Sequence, residues 1–232
     1  MKESQNEEKA SACFSEGCEF YSTENYQKAV DCYEKAIQLN PMIADYFYYK
    51  GNALSELEDY KEAIVCYDKA IQLDPTNSDY FHNQGIALEN VNEYKAAISC
   101  YDMAIKLNPS DADYFNNKAD ALSEIEQFES AIFCYDKAIG LDPMNASYFY
   151  VKGIAFRHLK DFKTSIDCID KAIQLDPTKS NYFFYKGKSW FDMRRYKEAK
   201  DCFEKAIQLD PMNAHYFYNK GMALIPSGNR LL

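Results

Sequence analysis

Six of the seven prolines stand at positions 41, 75, 109, 143, 177 and 211, each 34 residues beyond the last. The same step carries IQLNP (37–41) into IQLDP (71–75), IKLNP (105–109), IGLDP (139–143) and IQLDP again at 173–177 and 207–211. Six of the eight glycines keep this register: Gly17, Gly51, Gly85, Gly153, Gly187 and Gly221. So does an aromatic triplet that begins as DYF at 45–47 and drifts to SYF, NYF and HYF. A period held this long means that one small unit is laid down again and again. Such a unit cannot bury its apolar face alone, so the chain must fold by stacking neighbours.

We number each repeat from a slot 1 at Ala10, Ala44, Ser78, Ala112, Ala146, Ser180 and Ala214. In the second repeat, Phe47, Leu54 and Leu57 recur at helical spacing around Gly51. Tyr60, Ala63, Ile64, Tyr67, Ala70 and Ile71 then form a second periodic stretch, with Glu58-Asp59 between them as a polar turn. Pro75 stops the second helix, because it lacks an N–H and disfavours helix at the residue before it. Thr76, Asn77 and Ser78 offer N-cap oxygens to the next helix. Each repeat is therefore predicted to be two antiparallel helices of about a dozen residues, with no competing strand pattern.

The pattern Phe47-x-x-Lys50-Gly51-x-x-Leu54, then Ala63, Tyr67, Ala70 and Pro75, resembles the tetratricopeptide repeat, with Lys50 where Leu is usual. The resemblance implies an all-α fold, a right-handed α-solenoid superhelix of stacked helix-turn-helix hairpins. It divides the chain into a polar extension of the first helix (1–9) and a solenoid (10–225). The full repeats are 10–43, 44–77, 78–111, 112–145, 146–179 and 180–213, followed by a half repeat at 214–225 and a tail at 226–232 that opens with Pro226-Ser227-Gly228. Local departures are Ala119 in place of the fourth glycine, and Ser165 and Ile169 in place of the Ala and aromatic of the fifth helix B.

A net charge of −10 argues against nucleic acid and anionic membrane as partners, since both need clustered Lys and Arg. The first nine residues are polar and lack the apolar core of a secretory signal, and no apolar run is long enough to span a bilayer. Six of the eight cysteines (Cys32, Cys66, Cys100, Cys134, Cys168 and Cys202) share one slot of helix B. Stacked equivalents lie roughly 9–10 Å apart, too far for a disulfide, so these cysteines read as small buried hydrophobes in a reducing, cytoplasmic setting. His82, His158 and His215 have no metal-ligand spacing and read as surface or groove residues, and no phosphate-cradling or nucleophile motif is present. The expectation is no catalytic residue, no cofactor and no metal.

On a helical wheel, slots 4, 8 and 11 of helix A share a core face, and slots 2, 5, 6, 9 and 13 lie opposite. The family resemblance implies that helix A lines the concave side and that the second set meets a ligand. Those slots hold Tyr48, Tyr49, Asn52, His82, Asn83, Asn116, Asn117, Asp120, Tyr150, Val151, Phe184, Tyr185, Lys188, Tyr218 and Asn219. Two aromatic zones thus flank a polar centre. Exposed aromatics mark and anchor interfaces, and amides can pair with the backbone of an extended peptide. Asp45, Glu56, Asp79, Asp113, Asp120 and Glu124 make the earlier repeats acidic, whereas Arg157, His158 and Lys188 belong to the later ones, so the basic part of a ligand is expected toward repeats two to four. The clamp by which some family members hold acidic chaperone tails needs Lys at slot 5, which here is never Lys.

The sequence therefore points to a non-catalytic scaffold that binds an extended peptide or short helix of another protein in a concave groove. The alternative is a self-assembling solenoid, a homo-oligomer stacking through the C-terminal end, where Tyr216, Phe217, Tyr218 and Met222 leave the last helix only half polar.

Overall fold

The computed structural model describes residues 2–224, among which are thirteen α-helices and no strand. In chain order they are α1 (Lys2–Ser22), α2 (Tyr26–Leu39), α3 (Ala44–Glu56), α4 (Tyr60–Leu73), α5 (Ser78–Asn90), α6 (Tyr94–Leu107) and α7 (Ala112–Glu124). There follow α8 (Phe128–Leu141), α9 (Ala146–His158), α10 (Phe162–Leu175), α11 (Ser180–Asp192), α12 (Tyr196–Leu209) and α13 (Ala214–Leu224). Odd-numbered helices are the A helices of the repeats and even-numbered ones the B helices. Pro226-Ser227-Gly228, expected to end the last helix, and the tail 226–232 lie outside the described residues.

Two kinds of turn alternate, and the sequence builds each differently. From A to B, one residue takes a left-handed conformation: Glu24, Glu58, Asn92, Glu126, Lys160 and Arg194 all have φ between 59° and 63°. The next N–H then reaches back five residues, as Asp59 N does to Leu54 O at 2.9 Å, which closes the last carbonyls of helix A. From B to A, the helix stops two residues before each proline, and the intervening Asx residue is extended, with φ −146° at Asn40 and −139° at Asp74. Its side chain accepts the N–H two residues on, as Asp74 does from Thr76 at 2.9 Å and Asp176 from Thr178 at 2.9 Å. Asn77 and Asn145 cap α5 and α9 by accepting from Asp79 N at 2.9 Å and Ser147 N at 3.1 Å.

The chain divides into two compact units, one up to Ala121 and one from Leu122. In each, a helix packs on its neighbours in sequence, so that hairpins stack. The core of a hairpin is a glycine of helix A against a large side chain of helix B. A Cβ on Gly51 would come within 2.7 Å of the Tyr67 ring, and one on Gly187 within 2.6 Å of the Phe203 ring. The large partners Tyr33, Tyr67, Tyr101, Ile169 and Phe203 are all fully buried or nearly so. The fifth repeat's serine is also explained: buried Ser165 pairs its hydroxyl with that of buried Ser189 at 3.0 Å, so two departures from alanine satisfy one another.

Between repeats, slot 7 of helix A is tied to the preceding helix B. Lys50 pairs with Glu34, Lys118 with Asp102 (2.5 Å), Lys152 with Asp136 (2.5 Å), Lys186 with Asp170 (2.5 Å) and Lys220 with Glu204 (2.8 Å). Buried Gln84 takes the same place in the third repeat, its amide donating to Asp68 at 2.6 Å. Lys50 therefore stands in a leucine slot because its stem packs there while its ammonium leaves the core to meet Glu34. That hydrogen bond holds the Glu34 carboxyl below its ordinary range.

Candidate functional site

In the first unit, the slot-5 side chains lie between repeats. The Tyr48 ring sits 4.9 Å from Tyr80, and the His82 ring 4.6 Å from Tyr114. Phe14 repeats the arrangement against Tyr46 at 5.0 Å. Slot 6 of the following repeat completes each contact. Asn83 donates to the Tyr48 hydroxyl at 2.7 Å, the Asn117 amide nitrogen lies 2.9 Å from His82 Nε2, and Tyr49 packs edge-on against Phe14. Burial lowers the pKa of His82 against the opposing pull of Asp111, Asp113 and Asp79, so Nε2 is free to accept from Asn117. Asn116 donates to Asp120 at 3.0 Å, and its own carbonyl oxygen is buried without a partner.

The slot-3 tyrosines also hold the acids at slot 2. Tyr80 donates to Asp45 at 2.5 Å, and Tyr114 to Asp79 at 2.7 Å. Two of the carboxylates counted toward an acidic face are thus engaged in joining repeats.

Between α1, α3 and α5 there is a cavity of about 370 Å³. Its wall carries Tyr21, Asn52, Ser55, Glu56, Tyr67 and Asn83. Tyr67 donates to Asn52 Oδ1 at 2.8 Å, and its hydroxyl lies 3.2 Å from Ser55 Oγ. Tyr21 donates to Glu56 over a long 3.5 Å, and burial with Glu56 nearby pushes its pKa up to about 12. Asn52 and Asn83 are sequence-derived candidates, and Ser55 and Glu56 follow Asn52 on α3; Tyr21 on α1 and Asn83 on α5 reach them only through the stacking of three repeats. A second cavity of about 410 Å³ lies on the α3–α4 side, with Phe47, Lys50 and exposed Val65 in its wall.

The second unit repeats the stacking with rings. Tyr150 lies 4.7 Å from Tyr182 and meets Tyr185 edge-on at 5.6 Å. Phe184 lies 4.9 Å from Tyr216 and meets Tyr185 edge-on at 5.4 Å. Lys188 places its ammonium over both Phe184 (5.6 Å) and Tyr185 (5.4 Å), and burial, with Arg157 nearby, lowers its pKa. Arg157 bonds Asp192 at 2.6 Å, while its Nε is buried without a partner. Val151 is half-buried, and Asn219 donates to His215 O at 2.8 Å. Tyr218, the last slot-5 aromatic, is 67% exposed, and its neighbour Phe217 is 51% exposed. His158 stacks on Phe128 at 4.6 Å, a packing role that the sequence does not show.

The fifteen sequence-derived residues thus fall into two kinds. Tyr48, His82, Tyr150 and Phe184 are mainly joints between repeats. Tyr49 and Tyr218 present more of their surface, with Asn83, Tyr185 and Lys188 at the edge of the packed layer. Among the described residues no three His, Cys, Asp or Glu side chains group as metal ligands, and no helix is long and apolar enough to cross a membrane. Burial pushes the thiols of Cys66 and Cys100 up to about 11, away from nucleophilic chemistry.

Tetratricopeptide-repeat family models match residues 10–42, 44–77, 78–111 and, with a second model, 100–133. A model of anaphase-promoting complex, cyclosome, subunit 3 matches residues 124–206. No curated protein sequence matches the chain. Among solved structures, YrrB, described as a tetratricopeptide protein with an unusual peptide-binding site, is 21% identical with a TM-score of 0.69, over 82% of this chain and 97% of its own. PilF of Pseudomonas aeruginosa is 17% identical with a TM-score of 0.76, over 94% and 99%. The C-terminal part of a repeat protein from Cytophaga hutchinsonii is 19% identical with a TM-score of 0.77, over 90% and 84%. At such identities the likeness is one of fold.

Proposed function

The chain belongs to the tetratricopeptide-repeat family, and from that premise we propose that it is a non-catalytic scaffold whose A helices hold an extended segment or short helix of another protein. The observation that carries this reading is the wall of half-exposed aromatic and amide side chains on those helices, opening in the first unit into a cavity of about 370 Å³. Tyr49, Asn52, Asn83, Asn117 and Asp120 would meet the ligand in the first unit, and Val151, Tyr185, Lys188, Tyr218 and Asn219 in the second. Tyr48, His82, Tyr150 and Phe184 would support them by fixing the spacing of the repeats, and Asn116 by holding Asp120. YrrB, similar in fold, is described as binding peptide, which agrees with this use. A reducing, cytoplasmic setting fits eight unbridged thiols, of which Cys32, Cys66 and Cys134 are buried and the other five half-buried.

Truncating Tyr150 and Phe184 would remove joints as well as contacts, so the test leaves them intact. Peptides are selected on the immobilised protein from a random library, and the best is mapped by amide hydrogen exchange. Slowed exchange in one or more of α3, α5, α7, α9, α11 and α13 is the expected result. Protection confined to α4, α6, α10 or α12, or no selected peptide at all, would overturn the proposal.

Self-association has one specific observation in its favour, the exposure of Met212 (89%), Tyr218 (67%) and Phe217 (51%) around α13. Sedimentation velocity across a hundredfold range of concentration decides it. A concentration-dependent mass abolished by Phe217→Ser would favour assembly, and a constant monomer mass would end that reading.

A further inference from the structure

The cavity between α1, α3 and α5 has a chemical preference, and we infer that it receives the guanidinium of an arginine side chain in the bound segment; this rests on the peptide-binding reading. The one charged group in the wall is the Glu56 carboxylate, an acceptor. The Tyr67 hydroxyl is committed to Asn52 Oδ1 at 2.8 Å, and the Asn83 amide nitrogen to the Tyr48 hydroxyl at 2.7 Å. Toward the cavity stand the neutral Asn52 amide nitrogen and Ser55 hydroxyl, the Asn83 carbonyl oxygen, and the Glu56 carboxylate, which accepts the 3.5 Å contact from Tyr21. The Tyr21 phenol, with its raised pKa of about 12, adds no competing charge. An anion placed here would find no cation. At slots 2, 5, 6, 9, 12 and 13 the A helices of the first unit carry Asp45, Glu56, Asp79, Glu89, Asp113 and Asp120, and neither Lys nor Arg up to Ala121.

The size and spread of the acceptors favour arginine over lysine. A volume of about 370 Å³ is generous for a lone ammonium. Acceptors carried on two different helices, Glu56 on α3 and Asn83 on α5, suit a planar fork of five N–H donors better than a compact point charge. The flanking rings of Tyr21 and Tyr67 supply faces and edges for the apolar stem and the delocalised cation.

The test is a double-mutant cycle on a peptide selected from the random library. Selected peptides are expected to share a basic residue at a fixed position, arginine more often than lysine. Replacing that arginine by citrulline, its neutral isostere, should weaken binding roughly tenfold, as expected for one charge-assisted pairing. Glu56→Gln, a change on an exposed side chain that should leave the fold intact, should weaken the arginine peptide by a similar factor and the citrulline peptide by less than about twofold. Additive effects, or peptides that protect the A helices yet lack a fixed basic residue, would overturn the arginine pocket and leave peptide binding standing. Failure to select any peptide would overturn both.

Discussion

Gly85 and Gly140 are both helical, yet the same substitution should move stability in opposite directions. A Cβ on Gly85 would stand 2.5 Å from Tyr101 Cε1, 2.8 Å from Cζ and 2.9 Å from Cδ1, whereas one on Gly140 meets nothing within 4 Å. Carbon atoms settle at about 3.5–4.0 Å, so at Gly85 the ring or the helix must retreat by roughly 1 Å. The ring has little room to do so, because Tyr101 is fully buried and its hydroxyl is bonded to Glu89. Forcing a methyl into a packed core costs about 1–3 kcal/mol, and alanine returns about 1 kcal/mol through its better helix propensity. With the ring held at both ends, Gly85→Ala should lose about 1–2 kcal/mol net, while Gly140→Ala should gain up to about 1 kcal/mol. For a chain of this length each kcal/mol is worth about 2–4 °C in Tm. Urea denaturation followed by circular dichroism gives the global change, and hydrogen exchange in α5 and α6 gives the local one. Shrinking the partner should also rescue: Gly85→Ala with Tyr101→Leu should cost less than the two changes added separately. If Gly85→Ala matched Gly140→Ala in stability, close approach would not be the reason for the glycine register.

His82→Tyr puts at slot 5 the residue that Tyr48 already is, with Asn117 placed to pair with it as Asn83 pairs with Tyr48. Because burial lowers the His82 pKa, the wild type holds that stability above the ordinary histidine value of about 6.5 and loses it as pH falls through the lowered pKa, whereas the variant should lose none from this source; urea midpoints between pH 7.5 and 5 that track each other would refute this. Ser165→Ala and Ser189→Ala should each cost about 1 kcal/mol by leaving a buried hydroxyl with one partner fewer, and the double variant should come back near wild type; additive losses in thermal melts would show that the 3.0 Å pairing contributes nothing.

The hairpin itself was legible because its causes are local. Periodicity placed the helices, Pro75 and its equivalents stopped them, and Asn77 stood ready as a cap. The left-handed turn at Glu58 was visible only as a polar dipeptide, since glycine is the usual mark of positive φ and here Glu, Asn, Lys and Arg adopt it. The slot-7 ladder was hidden for a different reason. Lys50 looks like a fault in a leucine position until Glu34, sixteen residues earlier on another repeat's helix, is brought to its ammonium.

The aromatic slots mark where sequence reasoning about a solenoid runs short. A helical wheel reports which way a side chain leaves its own helix, and it placed Tyr48, Tyr150 and Phe184 on the face away from the hairpin core. It says nothing about the next repeat, whose slot-3 tyrosine lies beside that face: Tyr80, Tyr182 and Tyr216 cover those three rings at 4.7–4.9 Å. Tyr218 supplies the contrast within the same chain. It occupies the same slot with the same chemistry, no further repeat follows it among the described residues, and it is 67% exposed. Stacking pairs of this kind are worth about 0.5–1.5 kcal/mol beyond the area they bury, enough for selection to keep them without any ligand. An aromatic at slot 5 is therefore evidence of a neighbouring repeat first and of a partner second. Recognition is better sought at slots 9 and 13, where Asn52 and Glu56 stand outside these ring stacks, and where a change of charge at exposed Glu56 can be read without loosening them.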